Sequence, residues 1–147
     1  MFGGDRARLR GFFLQVHASR RAGKPLGPLE SLVGDVIERH PEYHALLAEQ
    51  ESLYRDRFPE TGDGNPFLHM AMHVTIAEQL ASDRPVGFRD AYLKAAGHHS
   101  DNHHLEHAVM DCLGQVMWQA QQDGATPDEQ AYLRCVQRLA AGVKGPR

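Results

Sequence analysis

Ten histidines are spread through 147 residues that hold only 16 lysines and arginines, and their spacing is the feature of this sequence most capable of chemistry. Pairs four residues apart occur at His40/His44, His69/His73, His99/His103 and His103/His107. Random placement of the same histidines gives about 0.6 such pairs. On a helix, side chains at i and i+4 share a face with Cβ atoms about 5–6 Å apart, so two imidazoles can turn toward one ion. The segment NPFLHMAMH, residues 65 to 73, sharpens the question, because His69 and His73 stand where apolar side chains would pack at lower cost.

Helical stepping predicts which histidines face inward. After Asn65, Ile76 and Leu80 share the face of His69 and His73, with Thr75 and Glu78 opposite. Along the later helix, Met110, Gly114 and Met117 line up with His103 and His107, and Glu106 flanks that stripe. His40 extends the stripe of Leu29, Val33 and Val36, and His44 joins it if the helix only kinks at Pro41. Glu42 and Tyr43 are the neighbours of this first pair, a surface and a core residue that could also orient it. Three helices would then aim histidine pairs at one interior.

Each buried imidazole without a hydrogen-bond partner costs about 1–3 kcal/mol. A divalent cation bound to neutral imidazole nitrogen removes that cost, which makes His40, His44, His69, His73, His103 and His107 the expected metal ligands. The segment His103-His104-Leu105-Glu106-His107 also fits H-x-x-E-H, in which a glutamate acts as general base on metal-bound water, so Glu106 is the candidate catalytic residue or a further ligand. Nitrogen-rich ligands favour zinc or iron, with manganese and nickel compatible. The plainer reading is that each pair consists of core histidines tied to Glu, Tyr or backbone groups. His17, among Arg10, Arg20 and Arg21, reads as a surface residue, and Cys112 as a packing residue.

The remaining composition mostly excludes. A formal net charge of -3 gives no electrostatic reason for nucleic acid or an anionic membrane as partner. Cys112 and Cys135 form no C-x-x-C pair, so neither a disulfide framework nor a thiolate zinc site is expected, and a reducing cytoplasm is the expected compartment. The apolar run Phe12 to Val16 is too short for a signal or membrane segment.

The elements that must position these residues follow from helix punctuation. Asp5 is a candidate cap for a helix to about Arg21, stopped by Gly23-Lys24-Pro25. A second helix opens at Gly27-Pro28 and ends or kinks at Pro41. Asn65-Pro66 opens a third to about Ser82, and Phe88 to about Ala96 forms a short one. A long helix runs from Ser100 or Asp101 to Asp123-Gly124, and Thr126-Pro127-Asp128-Glu129 caps a last one to about Ala141, before a frayed tail. Without period-two alternation the reading is all-α: a single-domain irregular helical bundle of five to seven helices.

In the phrases HPEYHALL, NPFLHMAMH, the H-x-x-E-H segment and CLGQVMWQAQ, the chain resembles the bacterial family catalogued as domain of unknown function 1841, from about Phe12 to Leu139. That resemblance implies a bacterial, cytoplasmic protein and brings no established activity. The family's histidine phrases fall on His40, His44, His69, His73, His103 and His107, with His104 at a more variable spot. The expectation is a metal-binding helical bundle with a mono- or dinuclear site serving hydrolysis or redox and oxygen chemistry on a small-molecule substrate. The alternative is a non-enzymatic adaptor for a protein partner, with structural histidines.

Overall fold

Proline and glycine set the helix boundaries in the structure, a computed structural model in which residues 6–55, 58, 65–99 and 101–142 are described. Helix α1, Arg6–Arg21, ends in a turn where the N–H groups of Ala22, Gly23 and Lys24 reach back to the carbonyls of Ala18, Arg20 and Ser19. Gly23 takes a φ of 74° there, a left-handed conformation that a side chain would strain. Helix α2, Pro28–Glu38, starts on Gly27, whose N–H donates to Glu30 Oε1 at 2.8 Å. The candidate cap Asp5 and tail residues 143–147 lie outside the described residues.

At Pro41 the chain breaks rather than kinks. The residue before a proline is pushed away from helical geometry, and His40 has φ -127° and ψ 63°. A 3-10 turn, Pro41–Tyr43, follows, then the single-turn helix α3, His44–Leu47, and a second 3-10 turn, Gln50–Leu53. His44 therefore does not continue the α2 stripe. Helix α4, Pro66–Ser82, has the expected bounds, and Asn65 Oδ1 accepts from the N–H groups of Phe67 and Leu68 at 3.0 and 3.2 Å.

The chain divides into two compact units, Met1–Val74 and Thr75–Arg147, with the division falling inside α4. In the first unit, Phe13 and Val16 of α1, Val36 and Ile37 of α2, Tyr43, and Phe67 and Met70 of α4 are buried. Arg10 is buried with them. Its Nη1 donates to the carbonyls of Ser52 and Arg55 at 3.0 and 2.7 Å. Its guanidinium lies 5.1 Å from the Phe67 ring centroid, so carbonyl and ring contacts offset its desolvation.

The second unit contains α5 (Phe88–Ala95), α6 (Asn102–Asp123) and α7 (Glu129–Ala140). Phe88 stacks on Tyr132 at 5.5 Å, and the Tyr132 hydroxyl donates to Gln79 Oε1 at 2.6 Å. Asp101 caps α6 by accepting from the His104 N–H. The cap of α7 is Asp128, which accepts from Gln130 and Ala131, rather than Thr126 as the spacing implied. Seven α-helices and no strand are present among the described residues, so the protein is all-α. No described helix is long and apolar enough to cross a membrane.

Cysteine usage is the clearest departure from expectation. Cys112 on α6 and Cys135 on α7 form a disulfide, with Cα atoms 5.8 Å apart and both residues buried. Neither a C-x-x-C pair nor a dense cysteine pattern marks it, because two separate helices bring the thiols together. The cysteine argument for a reducing compartment falls with it. A cross-link across 23 positions of sequence stabilises the fold by about 3 kcal/mol through the entropy of the unfolded chain. The denatured, unreduced protein should show no free thiol, and the Cys112→Ala/Cys135→Ala variant should lose about that much stability in urea unfolding. Two titratable thiols in the denatured protein would contradict the pairing.

Candidate metal centre

Three imidazoles converge inside the first unit. His69 and His73 stand one turn apart on α4, where the helical spacing read from the sequence puts them side by side, and their Nε2 atoms are 3.3 Å apart. His40 reaches the same point from the break after α2. Its ring centroid lies 5.1 Å from that of His69 and 5.0 Å from that of His73, and the His69–His73 separation is 4.8 Å. The three form a near-equilateral triangle. One ligand nitrogen from each lies within 4.8 Å of the others.

The surroundings fix these rings. His40 is 6% exposed and His73 1%, while His69 is half-buried. His40 Nδ1 lies 2.7 Å from the Val36 carbonyl. A carbonyl only accepts, so Nδ1 carries the proton and Nε2 is left with its lone pair. That is the arrangement by which proteins orient a metal-binding histidine. Tyr43, fully buried, stacks on His40 with planes 2° apart at 5.3 Å and meets the edge of His69 at 6.3 Å. Glu42, its neighbour, is exposed.

The spacing fits an ion. Two nitrogens each about 2.0–2.1 Å from a cation at the tetrahedral angle lie about 3.3–3.4 Å apart, and the rings that carry them have centroids about 5 Å apart. The His69–His73 contact matches the first value and the three centroid separations match the second. Burial pushes the His40 imidazole below the ordinary value of 6.5, the nearby His73 adds to this, and the hydrogen bond to Val36 opposes it. A neutral ring with a directed lone pair is what a divalent cation requires.

The other expected ligands have surroundings of their own. His44 is half-buried, its Nε2 lies 2.9 Å from the Ile37 carbonyl, and its ring packs on His17 at 5.0 Å. His103 and His107 belong to the second unit, where their rings pair along α6 at 4.1 Å. His103 is exposed, contrary to the inward orientation expected of that pair, because the buried face of α6 runs through Leu105, Val109, Cys112 and Val116, which helical stepping sets roughly opposite His103. Glu106 and His107 are half-buried on the same helix. Among the described residues, His40, His69 and His73 form the group of three able to hold an ion.

His17, expected at the surface, is buried. It is 6% exposed on α1, one turn after Phe13 and next to Val16, and that apolar stripe could have signalled its burial over the neighbouring arginines.

The fold and the triangle define an all-helical protein with a three-histidine centre able to bind metal. The chain belongs to the family described as Domain of unknown function (DUF1841), whose model matches residues 5–138. No curated protein and no solved structure matches it.

Burial, the largest cause for each, lowers His17 as well as His40. A histidine with a depressed value in the fold binds its proton more readily when unfolded, so stability rises with pH across the interval between the two values. The contribution is complete above about 6.5, the unfolded value, and is lost as pH falls below it toward the lowered folded values. The melting temperature of metal-free protein should therefore fall on acidification through this window, and less so in a His40→Gln variant. An unchanged slope in that variant would show that His40 is not the titrating group.

Proposed function

We propose that the protein binds one divalent cation through His40, His69 and His73. The observation that carries this reading is the triangle itself, with two Nε2 atoms 3.3 Å apart and the third imidazole oriented by the Val36 carbonyl. Three nitrogen donors without carboxylate favour borderline cations over calcium or magnesium, and the tetrahedral spacing of the His69–His73 pair favours zinc, with iron the next candidate. Three protein ligands leave a coordination position open, as in catalytic rather than structural zinc sites. A cation there would activate water or polarise a substrate oxygen, so metal-assisted hydrolysis of a small molecule is the reaction class that this donor set serves best.

The proposal rests on the first unit alone. His44 and the α6 residues His103, Glu106 and His107 stay outside it. A second reading, an adaptor with structural histidines, draws on the same His69–His73 contact, since one ring can donate to the other without an ion.

Elemental analysis of untagged, zinc-loaded and dialysed protein separates the two. The expected result is about one zinc per chain, lost in His69→Ala/His73→Ala and retained in His103→Ala/His107→Ala, with helical circular dichroism preserved in each. Trace metal in the folded parent protein would favour the adaptor. Loss of metal in the α6 variant would overturn the three-ligand assignment.

A further inference from the structure

A second feature of the first unit faces away from metal chemistry. Its cavity of about 430 Å³ is lined by His17, Arg20 and Arg21 of α1, Glu38 of α2, and His44 and Ala45 of α3. A second cavity, of about 500 Å³, shares His17 and Arg21. Volumes in this range suit small molecules. His17 and Arg21 are one turn apart, so both side chains lie on the same face of α1.

The charges in the cavity are unequally satisfied. Arg20 pairs with Glu38 and lies 3.4 Å from Asp35, which neutralises it and holds it in place. Arg21, the next residue, is exposed and makes no ion pair among the described residues. Nor is it needed to cap α1, whose last carbonyls accept from Ala22, Gly23 and Lys24. The Nε2 of His17, a residue 6% exposed, has no hydrogen-bond partner among the described residues. A buried polar atom left this way costs about 1–3 kcal/mol, which a ligand would recover once the ring turns that nitrogen toward the cavity. His44 is held with its Nε2 proton on the Ile37 carbonyl, at 2.9 Å.

We propose that this cavity binds the phosphate or carboxylate group of a small-molecule anion, with Arg21 as its charge partner and His17 as a buried donor. The guanidinium presents a fork of N–H groups that matches either oxyanion, and an imidazole beside it adds a directed hydrogen bond. Bound charge would also oppose the effects of burial, His44 and Arg21, which together hold the His17 imidazole below the ordinary value. The site is independent of the histidine triangle.

The test is a nuclear magnetic resonance titration of chelator-treated protein, so that the probe cannot report ligation to a cation. Inorganic phosphate is one arm and acetate the other, with chloride as the ionic-strength control. Saturable shifts at His17 and Arg21 in one arm, at millimolar concentration, are expected and identify the oxyanion. Arg21→Ala should weaken that binding at least about tenfold and Arg21→Lys restore part of it. Arg21 is exposed, so the variant leaves the core intact, and an unchanged melting temperature verifies this. No saturable shift in either arm, or equal affinity in Arg21→Ala, would overturn the proposal.

Discussion

Three imidazoles packed about 5 Å apart cannot all be cations at once, and that repulsion is the constraint on the centre of the first unit. Like charges about 5 Å apart in a poorly solvated site repel strongly. Burial already works against protonation at His40, and the Val36 carbonyl settles which nitrogen bears its single proton. Once the rings are neutral, their lone pairs become the problem, because at most one nitrogen of the His69–His73 contact can donate to the other. A cation would take up all three lone pairs together. The same crowding that opposes three protons would suit the centre to a metal.

Two different local structures deliver the ligands. On α4, the 3.6-residue period alone aligns His69 with His73, and Asn65 and Pro66 fix where that helix begins. His40 depends on a break. Pro41 stops α2, and the non-helical residue before it swings its ring back onto the Val36 carbonyl and against Tyr43. A continuous helix would have carried His40 and His44 together. The interruption separates them, leaving His40 with the triangle and His44 against His17 on another wall.

Much of this was legible in the residues. Caps and proline positions set α4 to the residue, and the i,i+4 spacing of His69 and His73 survives as a 3.3 Å contact. What failed required knowledge of non-local packing. The disulfide joins helices whose pairing no local pattern encodes. The charges of Arg20 and Arg21 masked the apolar stripe that buries His17. His103 shares a face with Met110, Gly114 and Met117, but the buried face of α6 runs through Leu105, Val109, Cys112 and Val116, and a helix with apolar residues on two sides does not say locally which side meets the core.

The central claim concerns which atoms would surround a bound cation, and zinc X-ray absorption spectroscopy of the loaded protein reads this most directly. The account predicts nitrogen or oxygen scatterers at about 2.0–2.1 Å, with outer-shell scattering from three imidazoles that disappears in His69→Ala/His73→Ala. A spectrum dominated by oxygen, or one with a single imidazole, would contradict it.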